Sequence, residues 1–267
     1  MENRFELVIS EGLSLVHDPS VHEGKTRGMA KGLFLCHNGR LCAGESAGLG
    51  LPVWKTQHET FFPTLTSMRS IGQTTVQKDF RMDRVLVWYM AGEKAPAWFR
   101  QAMKHSVNEY MKRPSLQHHL LRLRDIVFKL LALYSTMVPV AERGHCRVTY
   151  ETTSQGLNVR IDVSSLKGKG QLFMLNELDG RTFNRLRVGD RVLQEAEIPA
   201  WQAVPFDAIL ESSSQGLGIS LSRGEYEDHL NYNLFCGREV GLGLDWAGLV
   251  ITGQQPVLAY QVHFHFK

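Results

Sequence analysis

The segment Arg147-Val148-Thr149-Tyr150, then Ser154-Gln155-Gly156, then Leu157-Asn158-Val159-Arg160-Ile161-Asp162-Val163 decides the reading of the fold. Val148 and Tyr150 alternate with polar neighbours, as do Leu157, Val159, Ile161 and Val163. A period of two predicts half-buried strands, and Ser-Gln-Gly between them predicts a turn. The same unit recurs downstream: Ala208-Ile209-Leu210, Ser214-Gln215-Gly216, then Leu217-Gly218-Ile219-Ser220-Leu221. The last stretch, Leu258 to Phe266, alternates cleanly, with Tyr260, Val262, Phe264 and Phe266 on one face and Gln261, His263 and His265 on the other. From His145 onward the pattern is β throughout.

The first half begins with strand patterns at residues 5–17, then a loop over 18–32. Asn38-Gly39 predicts a two-residue hairpin turn that pairs His37 with Arg40, Cys36 with Leu41 and Leu35 with Cys42. That register points Cys36 and Cys42 to opposite sides, so a disulfide between them is not expected. With Cys146 and Cys236 they are the four cysteines, and no CxxC occurs. Residues 46–64 hold glycine, proline and aromatics and read as a loop. Two strands follow at 65–72 and 74–90, the second with Gln77, Asp79, Arg81 and Asp83 on one face and Lys78, Phe80 and Met82 on the other.

Between them and the C-terminal half the pattern changes. Pro96 can open a helix that Pro114 closes. Ser115 can cap a second, in which Leu116, Leu120, Leu123, Val127, Leu130, Tyr134 and Met137 form a seam at spacings of three and four. Trp88, Trp98, Trp201 and Trp246 read as core. The expected architecture is therefore mainly β. A large antiparallel β-sandwich forms one domain over residues 1–267, with an inserted helical hairpin at about 95–138 dividing two β-rich halves. The closing strands, Trp246 to Ile251 and then the alternating aromatic strand, resemble those of sugar-binding supersandwich folds.

Composition excludes some functions. Apolar residues make up 43% and charged residues 21%, ordinary for a soluble globular protein. A formal charge of +3 gives no ground to expect nucleic acid or an anionic membrane as partner. No long apolar run or leader-like N-terminus is visible, which leaves the cytoplasm as the expected location.

Gly44-Glu45-Ser46-Ala47-Gly48 matches GxSxG and resembles the nucleophile elbow of α/β-hydrolase esterases, which would make Ser46 a nucleophile. The residues that follow, Leu-Gly-Leu-Pro-Val, are poorly suited to the first turn of a helix. A carbohydrate-active or carbohydrate-binding protein is the preferred reading, with a polar sheet face bordered by the 45–62 loop as its site. Glu45 and His58 would serve as acid and base. Lys55, Trp54, Arg69, Lys78 and Arg81 would bind a sugar or a small carboxylate. No cofactor is expected. His263 and His265 share a face and can share a metal only if His229 or Glu239 arrives as a third ligand, so no metal is assigned. The alternative is a non-catalytic scaffold or complex subunit using the helical hairpin or a sheet edge as interface, which would favour a homo-oligomer.

Overall fold

In a computed structural model, residues 5–18, 30–44, 46–57, 59–99, 126, 130–154, 156–199, 201–224, 232–241, 244–253 and 257–266 are described. Their strands, in chain order, are β1 (Phe5–Ser10), β2 (Leu13–His17), β3 (Phe34–His37), β4 (Arg40–Leu41), β5 (Leu49–Lys55), β6 (Thr60–Ile71), β7 (Thr75–Met90), β8 (Glu93–Lys94), β9 (Leu133–Pro139) and β10 (His145–Thr153). Then come β11 (Gly156–Asp162), β12 (Gln171–Leu178), β13 (Phe183–Val188), β14 (Arg191–Gln194), β15 (Gln202–Val204), β16 (Ile209–Ser212), β17 (Leu217–Arg223), β18 (Asn233–Gly241), β19 (Leu244–Gly253) and β20 (Val257–Phe266).

The first four strands form a small antiparallel sheet. The others join one sixteen-stranded ladder in the order β14-β13-β16-β17-β20-β11-β10-β7-β6-β5-β12-β19-β18-β15, with β8 and β9 also paired to β7. The fold is mainly β and antiparallel. The strands at the two ends of this ladder, β14 and β15, have four and three residues, which leaves little backbone to template aggregation. Asn38 and Gly39 both take positive φ, as a type I′ turn requires, and the pairs Cys36–Leu41 and His37–Arg40 form around them.

The long ladder doubles back so that its two ends face each other, and the fastening is polar. In the β5–β12 ladder Leu51 lies opposite Leu175 and Leu49 opposite Asn176, so Gly50 is an extra, bulged residue. A bulge leaves peptide groups without ladder partners. Here Gly50 N donates to Asn176 Oδ1 at 3.1 Å, and Gly50 O accepts the Tyr150 hydroxyl at 2.8 Å. Tyr260 OH also donates to Asn176 Oδ1, at 2.9 Å. Tyr150 is on β10 and Tyr260 on β20, so one carboxamide links β5 and β12 to the opposing strands. Asn176, Tyr150 and Tyr260 are buried among a single contiguous core that includes Leu49, Leu51, Met174, Val159, Ile219 and Leu249. Gly50 has φ +73°, and a Cβ there would sit 2.5 Å from Tyr150 Cε1.

Three expectations are corrected. The segment read as a loop over 46–64 is largely strand: β5 lies between β6 and β12, with six of its seven residues buried. A strand covered on both faces shows no alternation, which hid it. Pro52 is tolerated because β5 pairs with β6 only at Trp54 and Lys55. Second, the helical seam does not run to Met137. Leu133–Pro139 is strand β9, paired along β7 from Arg84 to Met90, and Ala132 turns the chain with φ +44°. Tyr134 stacks on Tyr89 with centroids 5.2 Å apart, so the open edge of β7 outcompetes helical propensity. Residues 97–99, 126 and 130 are helical, while 100–125 and 127–129, where most of the expected hairpin falls, lie outside the described residues. Third, the tryptophan in the main core is Trp54; Trp98 is 67% exposed and Trp88, Trp201 and Trp246 are half-buried.

Removing the Tyr150 hydroxyl by Tyr150→Phe orphans Gly50 O and should cost about 1–3 kcal/mol. Asn176→Ala orphans two donors and should cost roughly twice as much. Gly50→Ala should cost at least ~2 kcal/mol, because it forces both the ring of Tyr150 and a left-handed backbone. Urea midpoints at unchanged m-value check all three. Equal midpoints for wild type and Asn176→Ala would contradict the fastening role.

Candidate functional site

The side chains that alternate with the core on β13, β16, β17 and β20 build the most chemically equipped surface among the described residues. Leu186, Leu210, Leu217, Ile219, Leu221, Tyr260 and Val262 point inward. Arg187, Glu211, Ser220, Ser222, His263 and His265 therefore share the opposite face. The register aligns them in a cross-strand row: Glu211 is opposite Gly218, and Gly218 is opposite His265. Residue 218 between them has no side chain, and Ile209 fills part of the space over it: a Cβ there would lie 3.0 Å from Ile209 Cγ2. A Cβ at Gly218 would meet Glu211 Cγ at 3.4 Å, so Glu211 leans over this position. The strands bearing the two groups are two ladder spacings apart, about 10 Å.

Each group is held. Arg187 NH2 donates to Glu211 Oε1 at 2.7 Å, and only 5% of the glutamate side chain is exposed. His265 Nε2 is 2.8 Å from Ser220 Oγ, and His263 Nε2 is 2.7 Å from Ser222 Oγ. Burial, His263 and Arg187 hold the His265 imidazole below its ordinary range, and Glu211 pulls the other way. An imidazole so held is neutral near pH 7 and can accept a proton, while the carboxylate beside it can stabilise the cation that forms. No group of three or more His, Cys, Asp or Glu suited to a metal occurs among the described residues, and His229 lies outside them.

The residues expected from sequence fall in different places where they are described. Glu45 and His58 lie outside the described residues. Trp54 and Lys55, at the end of β5, line an open hollow of 660 Å³ with Gln57 and residues 168–171. Arg69 and Arg81 sit on the outer face of β6 and β7 in a polar ladder. Arg69 Nε donates to Gln77 Oε1 at 2.8 Å, and Arg81 pairs with Asp83 at 2.6 Å. Their cross-strand partners, Gln77 and Thr64, place them five residues apart along β6, about 16 Å at the usual strand rise. Lys78 is wholly buried, donating to Lys31 O at 3.1 Å and Gly32 O at 2.8 Å, with His17 Nδ1 3.1 Å away. Its ammonium ties the segment leading into β3 to β7.

Ser46 is 1% exposed, donates its hydroxyl to Ala43 O, and leads into strand β5 rather than a helix. It lacks the exposed turn that an elbow nucleophile needs. The four cysteines are buried and unbridged, and burial pushes the thiols of Cys42 and Cys236 up to about 11 and about 12.

Glu211 and Arg187 were not singled out in the sequence. The available signal was the placement of Glu211 on the outward side of Ile209-Leu210-Glu211-Ser212, with a glycine in the following strand. What brings them to His265 is the non-local order β13-β16-β17-β20, which no local pattern encodes.

No protein-family model matches the sequence, and no curated protein matches it. Among solved structures the chain is similar to a galactose mutarotase-like protein from Lactobacillus casei ATCC 334, with a TM-score of 0.44 and 9% identity over 98% of this chain and 100% of that one. It is also similar to a glycoside hydrolase family 97 enzyme from Pseudoalteromonas sp. strain K8. In complex with panose that enzyme gives a TM-score of 0.41 at 8% identity, and in complex with acarbose 0.39 at 10%. The chain covers 34% of the family 97 enzyme. At such identities the likeness concerns the fold alone.

Proposed function

We propose that the protein binds a carbohydrate on the outer face of β13, β16, β17 and β20 and transfers a proton at one of its hydroxyls. The observation that carries this reading is the row Glu211–Gly218–His265, in which a carboxylate held by Arg187 and an imidazole lie on either side of a residue with no side chain. Ser220, Ser222 and His263 add hydrogen-bonding groups on the same face, the chemistry that recognises a hydroxyl-rich ligand.

In this reading proton transfer falls to His265 rather than to the Glu45–His58 pair. With its Nε2–H donating to Ser220 Oγ, Nδ1 keeps the lone pair that takes a hydroxyl proton. Glu211, oriented by Arg187, stabilises the imidazolium until the proton is returned. The simplest reaction this serves is ring opening of a reducing sugar. The proton leaves the anomeric hydroxyl, the bond between the anomeric carbon and the ring oxygen breaks, and the ring oxygen receives the proton.

The test follows freshly dissolved single anomers of glucose, galactose and mannose by polarimetry, with binding read by saturation-transfer NMR. Wild type should bind at least one sugar and speed its anomer exchange, and His265→Gln should lose about 100-fold or more of that acceleration. Absence of binding to all three sugars, or an undiminished rate in His265→Gln, would sink the reading.

The shifted imidazole gives a separate expectation. His265 should titrate below the usual ~6.5. Glu211→Gln should lower its midpoint further by removing the opposing carboxylate, and Arg187→Gln should raise it. The folded state takes up this proton less readily than the unfolded chain. The group's contribution to stability is therefore present above the unfolded value and lost as pH falls through about 6.5 towards the lower folded value. Imidazole NMR titrations of the three proteins check the order of midpoints.

A further inference from the structure

His17 and Lys78 are wholly buried titratable groups that the Glu211–His265 face does not use. On β2, His17 follows Leu13 and Leu15 at the inward positions, and on β7 Lys78 lies between the core residues Val76 and Phe80. The Lys78 ammonium has three protons and no lone pair. All three are used: on Lys31 O, on Gly32 O and on His17 Nδ1, which lies 3.1 Å away.

The third contact needs a lone pair on one of its two nitrogens. Whichever nitrogen holds the shared proton, the closed pair carries one proton fewer than a separate ammonium and imidazolium. A second proton would bring two positive charges together out of water. The neighbouring elements add further charge. Lys31, from the segment before β3, is itself a buried cation and donates to Ser46 O. Asp18 follows His17 and is half-buried. On β1, Phe5 lies opposite His17, and Glu6 is exposed and accepts from Ser14. On β10, Val148 pairs with Lys78, and burial pushes the flanking Cys146 and Tyr150 up, so both stay neutral in acid.

This contact sits where the two sheets meet. None of β1–β4 pairs with the long ladder, and one isolated bridge, Leu33–Leu49, links the chain just before β3 to the start of β5. A sheet with its own backbone ladder can open as a unit while its neighbour stays folded.

We infer that the His17–Lys78 pair is an acid-sensitive latch: the small sheet stays docked on β7 while His17 is unprotonated, and its release takes up one proton. The closed state binds this proton less readily than the free imidazole. The latch therefore holds fully above the unfolded value of ~6.5 and weakens as pH falls below it. With one proton taken up per opening, the opening equilibrium constant rises about tenfold per pH unit below ~6.5. The latch shares no residue with the proton-transfer face.

Amide exchange of the full chain, normalised to intrinsic rates, tests this between about pH 8 and about pH 5, a range that spans free imidazole titration. Leu15 and Val16, in the middle of the small sheet, should be less protected than Val159 and should lose about tenfold of their protection per pH unit below ~6.5. His17→Gln keeps an acceptor for Lys78 without a titrating ring and should flatten that slope. His265→Gln should leave it unchanged. Nitrogen NMR of the His17 ring reads the wild type directly: the ring should stay neutral, with one nitrogen unprotonated, as long as the small sheet is protected. The inference is overturned if Leu15 and Val16 match Val159 throughout, if their protection does not depend on pH, if His17→Gln keeps the slope, or if His17 titrates near ~6.5 with the small sheet still protected.

Discussion

The bulge at Gly50 is the constraint on which the rest of the arrangement depends. An extra residue in a buried ladder strands two peptide groups in an environment where each needs a partner. The molecule supplies those partners from side chains on both sides of the sandwich, Asn176 from β12 and Tyr150 from β10, and the same Asn176 oxygen takes the hydroxyl of Tyr260. The consequence reaches the candidate site. Because Tyr260 is anchored inward, alternation along β20 sends His263 and His265 outward. A one-residue slip of β20 would bury both imidazoles and expose the aromatic face.

Buried charge plays a second structural part. Lys31 donates to Ser46 O at 2.8 Å, and Lys78 donates to two carbonyls of the segment leading into β3. Glu177 accepts the N–H of Ala47, and its burial pushes its carboxyl up. Together these groups fasten Ser46 and Ala47 between the segment leading into β3 and strand β12. Desolvating such groups is expensive, and removing one partner leaves the other uncompensated. The glycine-rich motif that looked like catalytic machinery is therefore a fastening, and the stretch after it is a central strand.

Local chemistry was legible in the sequence where one residue type forces one geometry. Asn38-Gly39 defined its hairpin and register, and the alternation of Tyr260 and Val262 against His263 and His265 defined two faces. Strand β5 was illegible because burial on both sides removes the alternation that marks a strand. Tyr134 and Met137 fit a helical seam, yet β7 offered an unpaired edge that the seam could not register. The site was only half legible. His263 and His265 announced a shared face, but Glu211 and Arg187 reach it through strand order, which is a property of the whole ladder. Arg69, Arg81 and Lys78 have the residue types of a binding site, but their partners are the protein's own groups.

Hydrogen exchange of the Gly50 amide tests the fastening most directly. If the Asn176 carboxamide clamps the bulge between the two sides, this amide should exchange only through global unfolding, with the same protection as the amides of Leu175 and Val159 in the surrounding core. Exchange at the rate of an exposed turn such as Gly72, with the core still protected, would contradict it.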